Sequence, residues 1–148
     1  MSYYGTVEGG DAYFALRLFS EDWENADPAD KVKALNMATQ MIDGLNFAGV
    51  KADTDQELEF PRGSDTEVPD NIIKAAYEIS IKLLSGESRE TALSKIGVTS
   101  NSWGTVKQTY DADRVPEWLL SGIPSAEAWV YLRPFLNSQT VLPIRRVS

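Results

Sequence analysis

Four carboxylates alternate with other residues between positions 53 and 59, a spacing that could hold a metal ion. They are Asp53, Asp55, Glu57 and Glu59. An Asp-x-Asp-x-Glu run opens calcium loops of the EF-hand kind, which also need Gly at the sixth position and Glu at the twelfth. This chain has Leu58 and Ser64 at those positions. We therefore interpret the run as a solvated loop and expect no metal.

Few residues in this sequence could carry out other catalytic chemistry. The chain has no cysteine and no histidine, which removes thiolate nucleophiles and the commonest general base. Paired carboxylates remain, at Asp111/Asp113 and Glu21/Asp22, but both pairs lie in polar stretches where no burial would shift a pKa. No glycine-rich phosphate loop and no Gly-x-Ser-x-Gly turn is present. We expect a protein that is not an enzyme and needs no cofactor.

The charge is acidic overall and unevenly distributed. The 148 residues carry a net charge of −8 at pH 7. Within residues 1–30, seven acidic residues accompany Arg17 alone, whereas residues 137–148 hold Arg145 and Arg146 and no acid. Nucleic-acid affinity comes mainly from Lys and Arg neutralising phosphates, so this balance argues against strong DNA binding by the front of the chain. The basic end is interpreted as a solvated tail, an arm that orders on a partner, or a DNA contact.

Helical periodicity defines two main helices. Asp27 and Pro28 precede Leu35, Ala38 and Ile42, whose steps of three and four predict a helix over 28–46. A second helix is predicted to start at Pro69 and end at Gly86. Shorter helices are expected over 11–19, 21–25, 116–120 and 125–136, and an irregular loop over 49–67.

The rest of the chain shows different patterns. Residues 105–110 alternate in polarity and follow the turn-rich segment 99–102, which predicts a β-hairpin over 95–110 with Trp103 at its tip. We predict a mainly α fold: a small bundle of two main helices and shorter ones, with an attached hairpin. One domain is expected over 1–136, followed by an extended C-terminal arm over 137–148. No apolar run approaches the roughly 20 residues of a membrane span.

An ordered set of motifs resembles a family of small tailed-bacteriophage proteins. It begins with Asp11-Ala12-Tyr13-Phe14-Ala15 and Trp23 and continues with Lys31…Ala34-Leu35-x-x-Ala38-Thr39-x-x-Ile42-Asp43, Gly49 and Lys51. Gln56-x-Leu58-x-Phe60-Pro61-Arg62, Val68-Pro69 and Ala75-x-x-Glu78 complete it. Members are often labelled "DnaT-like single-stranded DNA-binding" and are similar to head-completion adaptors of phage connectors. The resemblance covers about residues 10–85 by motif.

This resemblance implies an adaptor in the head-to-tail connector. It implies a homo-oligomeric ring, expected as a dodecamer, between the portal protein and the tail or head-closure proteins, made in the host cytoplasm and located in the virion. An acidic channel would let double-stranded DNA pass without specific binding. The resemblance also places a portal-gripping arm at the C-terminus, in Leu142, Pro143, Ile144, Arg145, Arg146 and Val147. Phe60, Arg62 and Trp103 are the predicted contacts to neighbours or tail.

Two other hypotheses stay open at this point. The first is a single-stranded-DNA-binding replication accessory, which the label of the resembled family implies; aromatic residues could stack on bases, but those around Tyr13 and Trp23 have acidic neighbours. The second is a small hydrolase that uses Asp111 or Asp113. Loss of oligonucleotide binding on deleting residues 138–148 would favour the replication accessory, and loss of portal docking would favour the adaptor.

Overall fold

The computed structural model describes residues 2–86 and 116–137. In these two ranges the chain is mainly helical, with two long helices and several short ones, and it forms no β-strand beyond isolated bridges. The described elements are α1 (Val7–Ala15), α2 (Glu21–Glu24), α3 (Pro28–Asp43), α4 (Asp70–Leu84), α5 (Glu117–Leu120), α6 (Ala126–Leu132) and a 3₁₀ turn (Arg133–Phe135).

The core forms where α3 and α6 pack against α4. The stripe of α3 predicted from periodicity is buried at Leu35, Ala38 and Ile42. The helix starts after Asp27 as predicted, with Pro28 at its first position, but ends at Asp43, three residues before the expected end. Helix α4 is buried on nearly all sides, from Ala75 to Ile81, which makes it the central element.

Helix α1 lies close against the core because two glycines face it. A Cβ placed on Gly9 would lie 2.4 Å from the Tyr77 hydroxyl, and one on Gly10 would lie 2.4 Å from the Trp23 ring. Both distances are below 3.0 Å, which is closer than Cβ atoms approach other atoms in proteins. The Gly9-Gly10 pair therefore lets the backbone of α1 approach the Tyr77 and Trp23 rings directly. The Thr6 hydroxyl accepts a hydrogen bond from the Gly9 N–H and caps the helix.

The irregular segment between α3 and α4 is tied to the end of the last helix. The Ala48 N–H donates to the Phe135 carbonyl at 3.0 Å, and the Asn137 N–H donates to the Asn46 carbonyl at 2.9 Å. Phe47 and Leu136 form an isolated antiparallel bridge between these stretches. Backbone pairing thus fixes this long loop at two places along the chain.

Two predicted helices differ from the structure, and two other predicted elements lie outside the described residues. The short helix expected over 11–19 was wrong at both ends, because α1 begins at Val7 and ends at Ala15. The helix expected over 125–136 gives way to a 3₁₀ turn at Arg133, where Pro134 supplies no N–H for an α-helical bond. The β-hairpin predicted over 95–110 and the arm from 138 onward lie outside the described residues. No described helix is long and apolar enough to cross a membrane.

Candidate binding surface

An exposed apolar loop connects α1 to α2. Leu16, Leu18 and Phe19 have 92%, 78% and 83% of their surfaces exposed. These three residues are called the apolar ledge below. Scattered exposed apolar residues are normal on protein surfaces, but three within four positions form a patch.

Arg17 stabilises the backbone conformation of the apolar ledge. Its Nη1 donates to the carbonyl oxygens of Leu18 and Phe19, both at 3.1 Å. The backbone of Phe19 lies in the left-handed region, with φ at 58°. This conformation costs about 1 kcal/mol or more for a residue with a Cβ. The arginine therefore satisfies two loop carbonyls where the backbone turns sharply, and the Phe19 ring projects outward.

A buried carboxylate on α4 anchors that arginine. Glu78 is 2% exposed, and its Oε1 accepts from Arg17 Nη2 at 2.9 Å. Its Oε2 accepts from the Tyr13 hydroxyl. Burial, followed by the bond to Glu78, raises the pKa of Tyr13 far above its ordinary value, so that hydroxyl keeps its proton. A buried charge is tolerated only when it is paired and hydrogen-bonded, and Glu78 meets both conditions through these partners.

A groove of about 720 Å³ runs beside the ledge. It is lined by Tyr13, the residues from Leu16 to Phe19, Lys74 and Glu127. Lys74, on α4, also lies over the Tyr131 ring, with its Nζ 5.9 Å from the ring centroid. The groove thus combines apolar surface, aromatic rings and two cations with one acidic side chain at its edge.

Phe19 differs from every other aromatic residue in the described ranges. It is the one that is exposed, while the rest are buried or half-buried. An exposed ring beside cations is the arrangement by which proteins stack single-stranded bases and neutralise the backbone. It is equally an arrangement found at protein interfaces, where aromatic residues and Arg are enriched.

The surroundings of the groove are acidic. Across residues 2–86 and 116–137, eighteen Asp and Glu residues stand against eight Lys and Arg residues. Several of these cations are paired, as Lys31 is with Asp11 at 3.0 Å and Arg17 with Glu78 at 2.9 Å. Polyanion binding at the groove would therefore rest on few phosphate contacts.

Two of the predicted contact residues make their contacts within the fold. Phe60 is 3% exposed, and its ring meets those of Tyr4, Phe47 and Phe135 edge-on. Arg62 fastens the long loop: its guanidinium donates to Glu59 Oε1 at 2.7 Å and to the carbonyls of Ala48 and Phe47 at 3.0 and 3.4 Å. Contacts of these residues with a neighbouring protein stay a prediction. Trp103 and the residues from Leu142 to Val147 lie outside the described ranges.

A half-buried carboxylate lies beneath the same loop. Asp43 Oδ1 accepts from the Tyr4 hydroxyl at 2.5 Å, and Oδ2 accepts from the Glu59 N–H at 3.4 Å. Burial raises the pKa of Asp43 above its ordinary value, although the two hydrogen bonds oppose that shift. The Tyr4 oxygen in turn accepts from the Phe60 N–H at 3.2 Å. The cluster joins the N-terminus, α3 and the loop.

The alternating carboxylates of the loop are engaged locally. Asp53 Oδ1 accepts from the Asp55 N–H at 2.9 Å and closes a turn. Glu59 pairs with Arg62 at 2.7 Å and approaches Lys51 at 4.0 Å. Within the described ranges, no three acidic side chains are grouped so that they could hold a metal ion.

Sequence reasoning missed the apolar ledge because it placed Leu16 and Leu18 on an apolar face of the helix expected over 11–19. A signal for the loop was present. Ser20 precedes Glu21 and Asp22, a small polar residue before an acidic first turn, which indicates a new helix start. That signal separates the two helices but does not locate the end of α1, since the expected helix over 11–19 also ends before it.

Comparison with known proteins identifies a family for this chain. A family model described as "Putative DnaT-like ssDNA binding protein" matches residues 2–147. No curated protein matches the chain. No solved structure matches it either.

Proposed function

Since the chain belongs to the family of DnaT-like ssDNA-binding proteins, we propose that it is a non-enzymatic protein that binds single-stranded DNA. The family description supports the replication-accessory hypothesis more than the connector hypothesis. The proposed contact is the groove beside the apolar ledge. Bases would stack on Phe19, and the backbone would pass Arg17 and Lys74.

The proposed location of the DNA contact rests on the exposed ring of Phe19, whose backbone carbonyl is held by Arg17. Stacking of a base on an aromatic side chain contributes about 1–3 kcal/mol and tolerates any sequence. Because few cations line the groove, most of the affinity would come from stacking. Each neutralised phosphate adds about −0.7 to the slope of log affinity against log salt for single strands. Because Arg17 is already paired with Glu78, neutralisation by Lys74 alone would give a slope of about −0.7.

The test is fluorescence anisotropy with a labelled oligothymidylate, read for three substitutions. Phe19→Ala should weaken binding about 5- to 150-fold without unfolding the protein, because the ring is exposed. Lys74→Gln should reduce the salt slope by about 0.7. Lys82→Gln, on the same helix but outside the groove, is the matched control and should change little.

Two results would overturn the proposal in different ways. Binding that survives Phe19→Ala and Lys74→Gln but is lost in Arg145→Gln/Arg146→Gln would move the DNA contact to the C-terminal residues. A complete absence of binding at low salt would reject DNA as the ligand.

A second candidate is the connector adaptor: a ring subunit that joins portal to tail in a phage virion. The apolar ledge in an acidic surface favours it, because apolar contacts withstand salt and do not require a polyanion. The motif resemblance to phage adaptors supports the same candidate. In this case the ledge would contact protein, and DNA would pass an acidic surface without adhering.

The second candidate is tested by electron microscopy of the protein mixed with the portal ring of the same phage. An added ring of matching symmetry would support it, and deletion of residues 138–148 should then prevent docking. Failure to associate at micromolar concentrations, together with oligonucleotide binding, would reject it.

A further inference from the structure

The apolar ledge and its groove lack a cover among the described residues. Leu16 is almost fully exposed, and Leu18 and Phe19 are more than three-quarters exposed, although the backbone carbonyls of Leu18 and Phe19 are held by Arg17, which is paired with Glu78. A rigid exposed apolar patch beside a groove marks an interaction site. The question is which segment of matching chemistry could occupy it.

The C-terminal segment of the same chain has that chemistry. Residues 138–148 contain four apolar side chains, two arginines and no acid. The described surface has more than twice as many acidic as basic residues, and Glu127 lies at the groove itself. We propose that residues 141–147 dock in cis on the apolar ledge, with Leu142 and Ile144 on Leu18 and Phe19 and with Arg145 facing Glu127.

The length of the segment allows this path. The described chain ends at Asn137, which is fixed by its hydrogen bond to the Asn46 carbonyl. Glu127 lies ten residues earlier, and rises of about 1.5 Å per α-helical residue and 2.0 Å per 3₁₀ residue put it at most roughly 20 Å away. An extended chain covers about 3.3 Å per residue, so about seven residues bring Ile144 back to the groove.

The order of residues suits an extended docked strand. In an extended chain, side chains two positions apart point to the same side, so Leu142 and Ile144 share a side and Arg145 takes the other. Pro143 lies between them and restricts the segment toward an extended conformation, which reduces the entropy lost on docking. The two apolar contacts and the basic contact would therefore lie on opposite sides of the docked segment.

Docking in cis would place this segment in competition with single-stranded DNA for the groove. This consequence rests on the proposed function, but the docking itself does not. On this view, removal of the apolar contacts of the segment should strengthen oligonucleotide binding. That is the opposite of the result expected if the two arginines were the DNA contact.

The experiment uses the full chain and a nitroxide at its end. Because the protein has no cysteine, Ser148→Cys provides a single attachment point. Paramagnetic broadening of amide NMR signals should be strong at Leu16, Leu18 and Phe19 and unchanged by dilution. The Leu18→Ser/Phe19→Ser variant should lose this broadening, whereas Val50→Ser, equally exposed at another site, should retain it.

Each other outcome overturns the proposal. Broadening that arises only when spin-labelled and isotope-labelled copies are mixed would assign the ledge to a second copy. Broadening elsewhere, or none at the ledge, would show that the segment does not dock there. The readout contains no DNA. If the wild type shows ledge broadening and the undocked Leu142→Ser/Ile144→Ser variant still binds no oligonucleotide, the proposed function is rejected and the docking stays in place.

Discussion

Two loops of this protein are each held by an arginine, yet they leave their apolar side chains in opposite places. Arg62 fastens the loop between α3 and α4, and the rings of Phe47 and Phe60 lie in the core. Arg17 fastens the loop between α1 and α2, and Leu18 and Phe19 lie outside. The first loop buries both of its aromatic rings and leaves Val50 as a single exposed large apolar residue, whereas the second presents three exposed large apolar residues together. The comparison favours the second loop as the place for the proposed contact.

The strongest test of this comparison removes one aromatic ring from each loop. Phe60→Ala should cost roughly 3–5 kcal/mol of unfolding free energy, because it empties a site in the core between three other rings. Phe19→Ala should change the unfolding free energy by no more than about 0.5 kcal/mol. Urea denaturation measures both, and equal losses would contradict the contrast between the loops.

A second test removes the acidic partner of each arginine. Glu78 is buried, so Glu78→Gln should cost about 1–3 kcal/mol and loosen the apolar ledge. Glu59 is about one-third exposed, so Glu59→Gln should cost at most about 1 kcal/mol. Oligonucleotide binding reports on the conformation of the apolar ledge, and only the Glu78 variant should weaken it. A similar loss of binding in both variants would show that the Arg17 pair has no special role.

The left-handed backbone at Phe19 gives a smaller effect. Glycine adopts this conformation without penalty, so Phe19→Gly should be about 1 kcal/mol more stable than Phe19→Ala. Both variants should bind ligand equally poorly, because both lack the ring. Thermal or urea unfolding of the pair checks this. If Phe19→Gly were the less stable variant, the loop would not be strained.

The smallest effect concerns pH and the long loop. Asp43 has a raised pKa when folded, so the folded state binds its proton more tightly than the unfolded state. Its contribution to stability is therefore present at low pH and is lost as pH rises through the folded pKa. Asp43→Asn removes this titration. The unfolding free energy of the variant should therefore improve relative to that of the wild type as pH rises from about 4 to 7. Urea unfolding across that range measures the trend, and an unchanged difference would contradict it.

The sequence predicted the main helices well because their signal is local. The recurrence of Leu35, Ala38 and Ile42 at steps of three and four is set by the turn of the helix itself. The N-terminal signal at Asp27-Pro28 is local too, and so is the short helix around Trp23. The end of α1 was missed because Leu16 and Leu18 also fit a helical period, and apolar character alone does not show which side they face.

What the sequence determined by itself is the helical class of the described part and the positions of its two long helices. Only the tertiary structure decided which apolar residues remain outside. Arg17 meets Glu78 across 61 positions, and Phe60 reaches Tyr4 across 56. Local spacing does not encode such contacts, since they depend on how α1, α4 and the long loop pack. The apolar ledge is a product of that packing, and so is the groove beside it.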